Sequence, residues 1–222
     1  MEPVLTVITP TTGKPSLTKL IGSIDSQEPT IGVTHLLLWD DVRDQGAGTP
    51  EAYNSESRHS IVLPPGTGRN GDAPGSQLRA IGLMAARTPW VTFADDDVWW
   101  DRHHLRTVLE AAGRQNWCTT LRVVWAPDGS RIGVDRFESV GDDPTRNVPY
   151  EMVDNNCMLF RRRFGVAASR LYRETRAYND DRLMYAFLKR NAGPRGRTGQ
   201  PTINQICPAR LTEFFKSNCC AG

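Results

Sequence analysis

The most constraining feature of this sequence is the alternation of apolar runs with an amphipathic segment near its start. Residues 4–8 are apolar and β-branched, which predicts a buried strand that ends at Thr9-Pro10. Residues 17–24 place leucine and isoleucine at the i, i+3, i+4 and i+7 positions of one helical face. Residues 35–39 predict a second strand. A strand, a helix and a strand in this order predict a βαβ unit and therefore a parallel sheet.

The rest of the chain repeats these two kinds of segment. Further strands are predicted at 60–63, 90–94, 118–125, 131–134, 157–160 and 202–206, and further helices at 76–86, 105–112 and 179–191. Asp101 is expected to cap the second of these helices. The glycine-rich segments 64–75 and 193–199 are expected to be loops. We therefore expect one α/β domain with a mixed, mostly parallel sheet flanked by helices.

Size and composition suit a protein that folds around its own core. The chain has 222 residues, of which 39% are hydrophobic and 23% charged. No apolar run approaches the roughly 20 residues needed to span a bilayer, and the first residues lack the pattern of a signal peptide. The cysteines number five and have no zinc-ligand spacing, which favours reduced thiols. We expect a soluble, cytoplasmic protein.

Charge is distributed unevenly along the chain. Residues 1–160 carry 14 Lys/Arg and 21 Asp/Glu, a net charge of −7, whereas residues 161–222 carry 13 Lys/Arg and 4 Asp/Glu, a net charge of +9. The acidic part is suited to a bound cation, and the basic part to phosphates or another polyanion. The alternative is that charges of one sign simply cluster on solvated faces.

Two groups of aspartates directly follow predicted strands. Asp40 and Asp41 end the second strand, and Asp95, Asp96 and Asp97 end the fourth. Ligands of open α/β sheets bind at the carboxyl ends of the strands, and alternate residues of an extended segment, such as Asp95 and Asp97, share a side. Carboxylates gathered there repel one another, and Mg²⁺ or Mn²⁺ would relieve that repulsion. The alternative is a solvated acidic turn.

The order of these motifs resembles the nucleotide-sugar-binding domain of the GT-A glycosyltransferases, family 2 in particular. The family's first strand ends near a Thr-Pro turn, as at Thr9-Pro10, and its second strand ends in an acidic residue that holds the nucleoside, as at Asp40 or Asp41. The family's Ala-Arg-Asn-x-Gly helix motif is similar to residues 78–82, which keep the arginine and the glycine but lack the asparagine.

The resemblance continues further along the chain. The family's Asp-x-Asp motif corresponds to residues 95–97, and its strand ending in Phe-Arg-Arg is similar to residues 156–161. The family's catalytic Glu-Asp pair corresponds to Asn179-Asp180 or to Asp180-Asp181. Both pairs depart from the family pattern, so the catalytic base stays open between the two aspartates.

The resemblance implies a Rossmann-like GT-A fold and a metal-dependent transfer of a sugar from a nucleotide-diphosphate sugar, above all a UDP-sugar, to an acceptor hydroxyl with inversion. It implies a donor-binding part at 1–115 and an acceptor-binding, catalytic part at 116–222. The implied donor contacts are Thr9, Pro10, Thr11, Asp40, Asp41, Arg79, Asp95 and Asp96. The implied ligands of Mn²⁺ or Mg²⁺ are Asp95 and Asp97, the implied base is Asp180 or Asp181, and the implied acceptor contacts are Trp99, Trp100, Asn155 and Asn156.

The sequence indicates neither the acceptor nor the oligomeric state. A small molecule or a glycan is the favoured acceptor, and the arginines of the basic half leave a nucleic acid with a modified base as an alternative. A nucleotidyltransferase is a second candidate, because residues 9–14 weakly resemble the phosphate-binding loop of that class. A non-catalytic module that binds sugar nucleotides or nucleic acid is a third.

Overall fold

The computed structural model describes residues 2–40, 48–68, 75–142, 151–175 and 179–220. The strands in these ranges are β1 (Leu5–Thr11), β2 (Val33–Asp40), β3 (Arg58–Leu63), β4 (Trp90–Phe93), β5 (Val98–Trp100), β6 (Trp117–Trp125), β7 (Arg131–Asp135), β8 (Met158–Arg161), β9 (Gly196–Ile206) and β10 (Cys219–Cys220). The helices are α1 (Leu17–Asp25), α2 (Ser76–Ala85), α3 (His104–Ala112), α4 (Arg162–Glu174), α5 (Asp180–Asn191) and α6 (Thr212–Asn218). Short 3-10 turns lie at Pro50–Tyr53, Asn155–Cys157 and Ala209–Leu211.

One sheet runs through the molecule in the order β10-β7-β6-β8-β4-β1-β2-β3. The strands β3, β2, β1 and β4 pair in parallel, whereas β8 lies antiparallel between β4 and β6. β9 runs parallel to β6 and also pairs antiparallel with β5. The predicted mixed, mostly parallel α/β domain is therefore confirmed.

The central parallel strands β1 and β4 and most of β2 are buried on both faces, whereas the edge strand β3 is partly exposed. All seven residues of β1 are buried, and β1 packs beneath α2. The two elements touch at Gly82, where an added Cβ would lie 2.4 Å from Ile8 Cγ2. Burying one such aliphatic side chain contributes about 1.5–3 kcal/mol. No helix in the described ranges is both long and apolar enough to cross a bilayer.

Two segments differ from their sequence prediction at the edge formed by β9. Residues 193–199 were expected to be a loop, but β9 begins at Gly196, which lies so close to the Ala111 carbonyl that an added Cβ would be 2.2 Å from its oxygen. The prediction that the Asp101 side chain caps a helix is also wrong. α3 begins at His104, and the Asp101 side chain instead accepts a hydrogen bond from Asn204. Both differences arise from pairing between residues distant in sequence.

A helix that was not predicted from the sequence begins within the basic run of residues 161–163. α4 begins at Arg162 and packs on α2 and α5. Its buried side is formed by small and aromatic residues, among them Gly165, Ala168 and Tyr172. Arginine is a good helix former, so charge density alone was a poor guide to structure here.

Candidate active site

A cavity of about 440 Å³ opens at the carboxyl ends of β1, β2 and β4. Its acidic lining consists of Asp40, Asp95, Asp96, Asp97, Asp154, Asp180 and Asp181, and its basic lining in the described residues consists of Lys14 and Arg79. Neutral residues complete it, among them Pro10, Thr11, Gly75, Leu78 and Asn155. Parallel sheets bind their ligands at this edge. Most of the predicted donor, metal and base residues therefore meet in one place.

Arg79 connects two of the predicted functional segments. It projects from α2, its side chain is buried, and its guanidinium forms a salt bridge with Asp95 and lies 3.4 Å from Asp180 Oδ2. Burial opposes its charge, but the two carboxylates raise its pKa, so Arg79 stays a cation. Asn156 holds Asp95 from the other side, donating from Nδ2 to Asp95 Oδ2 at 3.1 Å. These contacts fix Asp95 at the cavity wall.

Asp96 is turned toward the loop that follows β1. Thr11 Oγ1 donates to Asp96 Oδ2 at 2.8 Å, and Lys14 Nζ donates to Asp96 Oδ1 at 2.7 Å. Burial opposes the charge of Lys14, but the carboxylate of Asp96 outweighs it and raises the pKa of the lysine. Both oxygens of Asp96 already have protein donors, so this residue anchors the loop against β4.

Asp97 reaches the cavity with much less support. Its Oδ1 is buried and has no hydrogen-bond partner in the described residues, and its Oδ2 lies 4.0 Å from Lys14 Nζ. Burial, followed by the charge of Asp95, raises the pKa of Asp97 to about 7. A cation beside this carboxyl would favour its ionised form.

Asp180 stands at the start of α5 and is held by several donors. Ser76 Oγ donates to its Oδ2 at 2.8 Å, and Asn155 Nδ2 donates to the same atom at 3.4 Å. Asn155 is itself fixed, because its Oδ1 accepts a hydrogen bond from the buried Tyr172 hydroxyl at 2.6 Å. Together with Arg79, these donors fix Asp180 between α2 and the 3-10 turn at Asn155–Cys157.

Asp181 lies beside Asp180 but in different surroundings. It lines the cavity, and its Oδ1 accepts a hydrogen bond from the backbone N–H of Arg182 at 2.8 Å. Burial, followed by repulsion from Asp154 and Asp180, raises the pKa of Asp181 to about 7. A carboxyl group with a pKa near the working pH is suited to accept a proton and release it again.

A buried ion cluster behind the cavity was not predicted. Arg122, on β6, forms salt bridges with Asp135, Glu138 and Asp154. Asp154 also accepts hydrogen bonds from the backbone and the side chain of Asn156, both at 2.8 Å. Through Asp154, Arg122 thereby supports Asn156, the residue that orients Asp95. The signal in the sequence was a charged residue within an otherwise apolar strand. Lys14 and Ser76 were also missed as site residues.

Asp40 ends β2 and is buried, and its Oδ1 has no hydrogen-bond partner in the described residues. The Gly68 backbone approaches it so closely that an added Cβ would lie 2.7 Å from Asp40 Oδ2. Asp40 therefore presents an unsatisfied acceptor at the cavity. Asp41, the alternative nucleoside contact, lies outside the described residues.

Four predicted contacts do not line this cavity. One is Asn156, whose side chain donates to Asp95. Thr9 is buried in β1, where its hydroxyl lies 2.9 Å from His35 Nε2. Trp100 is buried with its ring 4.4 Å from that of His104. Trp99 packs on another tryptophan ring at 5.8 Å. The two tryptophans belong to β5, which pairs with β9, and neither lines the cavity.

The donor set fits a divalent ion that takes its remaining ligands from a substrate. No group of three His, Cys, Asp or Glu residues poised to hold a metal occurs in the described residues. Asp95, Asp96 and Asp180 are already paired with cations. Asp97 Oδ1, which is buried and has no hydrogen-bond partner in the part of the chain that the structure describes, is the carboxylate oxygen that an ion would satisfy. Mg²⁺ is commonly held by one or two carboxylates together with substrate phosphates.

These features describe a GT-A-like fold with an acidic cavity at the carboxyl ends of its parallel strands. Among solved structures, the chain is similar to S. aureus TarS, with a TM-score of 0.67 at 18% identity over 93% of this chain and 37% of that one. It is also similar to TarS 1-349 in complex with UDP-GlcNAc, with a TM-score of 0.62 at 16% identity, covering 94% of this chain and 59% of that one.

A third structure, TarS 1-349 in complex with UDP, has a TM-score of 0.58 at 16% identity and is matched over 100% of this chain and 67% of that one. The chain thus covers 37% of the first of these TarS chains. No protein-family model matches the sequence, and no curated protein matches it. The similarity to TarS is therefore one of fold.

Proposed function

We propose that this protein is a metal-dependent glycosyltransferase that transfers a sugar from a UDP-sugar to an acceptor hydroxyl. The observation that carries this proposal is the acidic cavity, where Arg79 and the Asp95–Asp97 segment meet the Asp180-Asp181 pair. The TarS complexes with UDP-GlcNAc and UDP support a uridine nucleotide as the donor.

Asp40 is the proposed contact for the nucleoside. A buried acceptor without a partner costs about 1–3 kcal/mol, and an N–H group of a bound base would remove that cost. The uracil ring offers one such N–H group. Pro10 and Thr11, which also line the cavity, would border the nucleotide.

The diphosphate is proposed to lie beside the Asp95–Asp97 segment. Mn²⁺ or Mg²⁺, when bound, supplies a Lewis acid for the leaving diphosphate. Asp97 would hold the ion through Oδ1, which has no hydrogen-bond partner in the described residues. Asp95, whose two oxygens are held by Arg79 and Asn156, would become a second ligand only by giving up one of these contacts. Arg79 keeps Asp95 in place and adds positive charge at this wall.

Asp181 is the proposed general base. The oxygen of the acceptor hydroxyl attacks the anomeric carbon, the bond from that carbon to the diphosphate oxygen breaks, and UDP leaves with the bonding electron pair. Asp181 takes the hydroxyl proton, and attack from the face opposite the diphosphate inverts the anomeric centre. Asp181 is preferred to Asp180 because Asp180 is engaged by Arg79, Ser76 and Asn155.

The surroundings of the cavity favour an uncharged acceptor, a small molecule or a glycan, over a polyanion. Arginines of the basic half are already used within the protein: Arg161 lies over the Trp90 ring, Arg162 donates to a backbone carbonyl, and Arg195 and Arg197 both pair with Asp142. The described lining of the cavity contains seven carboxylates and two cations, and this excess of negative charge repels phosphates that bring no metal ion.

The test is an assay of UDP-GlcNAc turnover with Mn²⁺, in which released UDP and released pyrophosphate are measured separately. Release of UDP, with or without added acceptors, supports a glycosyltransferase. Release of pyrophosphate would instead indicate the nucleotidyltransferase. Binding without any turnover would indicate a non-catalytic module.

A further inference from the structure

Lys14 stands at the rim of the cavity, in the loop between β1 and α1. Its ammonium group donates to Asp96 Oδ1 at 2.7 Å and lies 4.0 Å from Asp97 Oδ2. The Lys14 side chain is 47% exposed, whereas that of Asp96 is 5% exposed. The Lys14 ammonium group therefore binds a buried carboxylate, and the lysine side chain is also partly exposed at the cavity.

The position of Lys14 is fixed by its surroundings. Asp96 is held by Thr11 Oγ1 as well as by the lysine, and the same Thr11 hydroxyl accepts the backbone N–H of Gly13 at 2.9 Å. Gly13 has a φ of 85°, which bends the loop back over Asp96. The loop thus presents the ammonium group in one place instead of leaving it on a free surface chain.

At this position the Lys14 ammonium group can still donate hydrogen bonds to a ligand. An ammonium group has three N–H donors, and the described contacts use one for Asp96. Arg79, the other cation that lines the cavity in the described residues, contacts both Asp95 and Asp180. Lys14 is therefore the cation better able to receive an incoming anion.

A divalent ion held by Asp97 would lie close to this ammonium group, because both would share one carboxyl group. Two cations at such short range repel each other, and partial burial weakens the screening by water. An anion that contacts both would turn this repulsion into attraction. A diphosphate has enough oxygen atoms to bind the ion and the lysine together.

We propose that Lys14 couples the metal ion to the donor diphosphate, opposing binding of the ion alone and favouring binding of the ion with the nucleotide. This inference rests on the proposed function and adds a positioning residue to it. The coupling is reciprocal: if the nucleotide increases the affinity for the ion, the ion increases the affinity for the nucleotide by the same factor.

The experiment compares Lys14→Gln, whose amide can still donate to Asp96, with the wild-type protein. Mn²⁺ affinity without nucleotide is measured from the electron paramagnetic resonance signal of free Mn²⁺, and UDP affinity at saturating Mn²⁺ is measured by calorimetry. We expect Lys14→Gln to bind Mn²⁺ alone about threefold more tightly and to bind UDP with Mn²⁺ about tenfold more weakly. The second change lies within the roughly 5–150-fold range usual for coupled sites.

Two variants provide matched controls. Lys14→Arg keeps the charge and should keep the coupling, which separates the charge from the shape of the side chain. Lys19→Met removes a lysine whose ammonium lies over the Trp99 ring, away from the cavity lining, and should change neither affinity. Melting temperatures of all variants without ligand show whether the fold is preserved.

Opposite changes in the two affinities of Lys14→Gln support the inference. Unchanged affinities, or a fall in both, overturn it while leaving the proposed function intact, provided that the wild-type protein binds UDP. If the wild-type protein binds no UDP with or without Mn²⁺, the proposed function fails, and the diphosphate role of Lys14 fails with it.

Discussion

Asp180 and Asp181 are neighbours in sequence, yet the fold gives them different chemical surroundings. Asp180 faces Arg79 and Ser76, whereas Asp181 lines the cavity and, among the described residues, has a single backbone donor on its Oδ1. The first arrangement fixes a charge, and the second leaves a carboxyl group available to react.

Replacing each aspartate by asparagine should separate these roles. We expect Asp181→Asn to bind UDP-GlcNAc normally but to turn it over about 10²–10⁴-fold more slowly, the usual contribution of a general base. Asp180→Asn should lower donor affinity, because Arg79 loses a partner. Donor affinity is measured by calorimetry and turnover by UDP release. A slower Asp180→Asn enzyme beside a fully active Asp181→Asn enzyme would reverse the assignment.

The rate of turnover should depend on pH through Asp181. A general base acts in its ionised form, and the pKa of Asp181 is raised to about 7. We therefore expect kcat to rise with pH between about pH 6 and pH 8 and then to level off. The rise should be absent in Asp181→Asn. A rate that falls over this range, or the same profile in both proteins, would contradict the role of Asp181 as the base.

Sequence patterns identified the residues of the site more successfully than the side chains to which those residues are hydrogen-bonded or ion-paired. Asp40, Arg79, Asp95 and Asp97 lie at strand ends or on a helix with a recognisable pattern, and all four line the cavity. The pairing of Asp96 with Lys14 depends on a loop that meets a strand more than eighty positions away. A local pattern carries no information about such a contact.

At the scale of secondary structure, α2 connects the core to the site, because it packs on β1 and carries both Ser76 and Arg79. The close contact of Gly82 with Ile8 sets the distance between the helix and the strand. The distance between α2 and β1 therefore affects both the free energy of unfolding and the position of the Arg79 guanidinium.

Two helical glycines offer a matched test of that contact. Gly82→Ala should destabilise the protein by about 1–3 kcal/mol, since the added methyl group overpacks the interface with Ile8. Gly22→Ala, on α1, adds the same group where no atom lies within 4 Å and should stabilise by up to about 1 kcal/mol. Urea unfolding gives both values. Equal effects of the two changes would show that Gly82 does not set the helix–strand distance.

Elements with a strong local pattern were predictable, and elements that depend on distant partners were not. The strands β1, β2 and β4 are mostly apolar, β3 has a short apolar run at its end, and each was predicted within a few residues of its observed bounds. β5 has three residues and pairs with β9 about one hundred positions later. Its existence follows from that pairing more than from its own composition.

For the whole molecule, the uneven charge along the chain does not become a simple division between an acidic site and a basic binding face. Asp180 and Asp181 belong to the basic half, yet both line the acidic cavity. Arg195 and Arg197 pair with Asp142 from the acidic half. The fold thus mixes the two halves, which explains why the charge count alone gave no reliable acceptor.

The central claim is that the cavity binds a UDP-sugar together with a divalent ion at Asp97. Its most direct test is calorimetric titration of UDP-GlcNAc with and without Mn²⁺, on the wild-type protein and on Asp97→Asn. We expect wild-type binding to strengthen about tenfold or more with Mn²⁺, equal to about 1.4 kcal/mol, and Asp97→Asn to lose this gain. Wild-type protein that binds no UDP-GlcNAc under either condition, or a gain from Mn²⁺ that survives in Asp97→Asn, would contradict the claim.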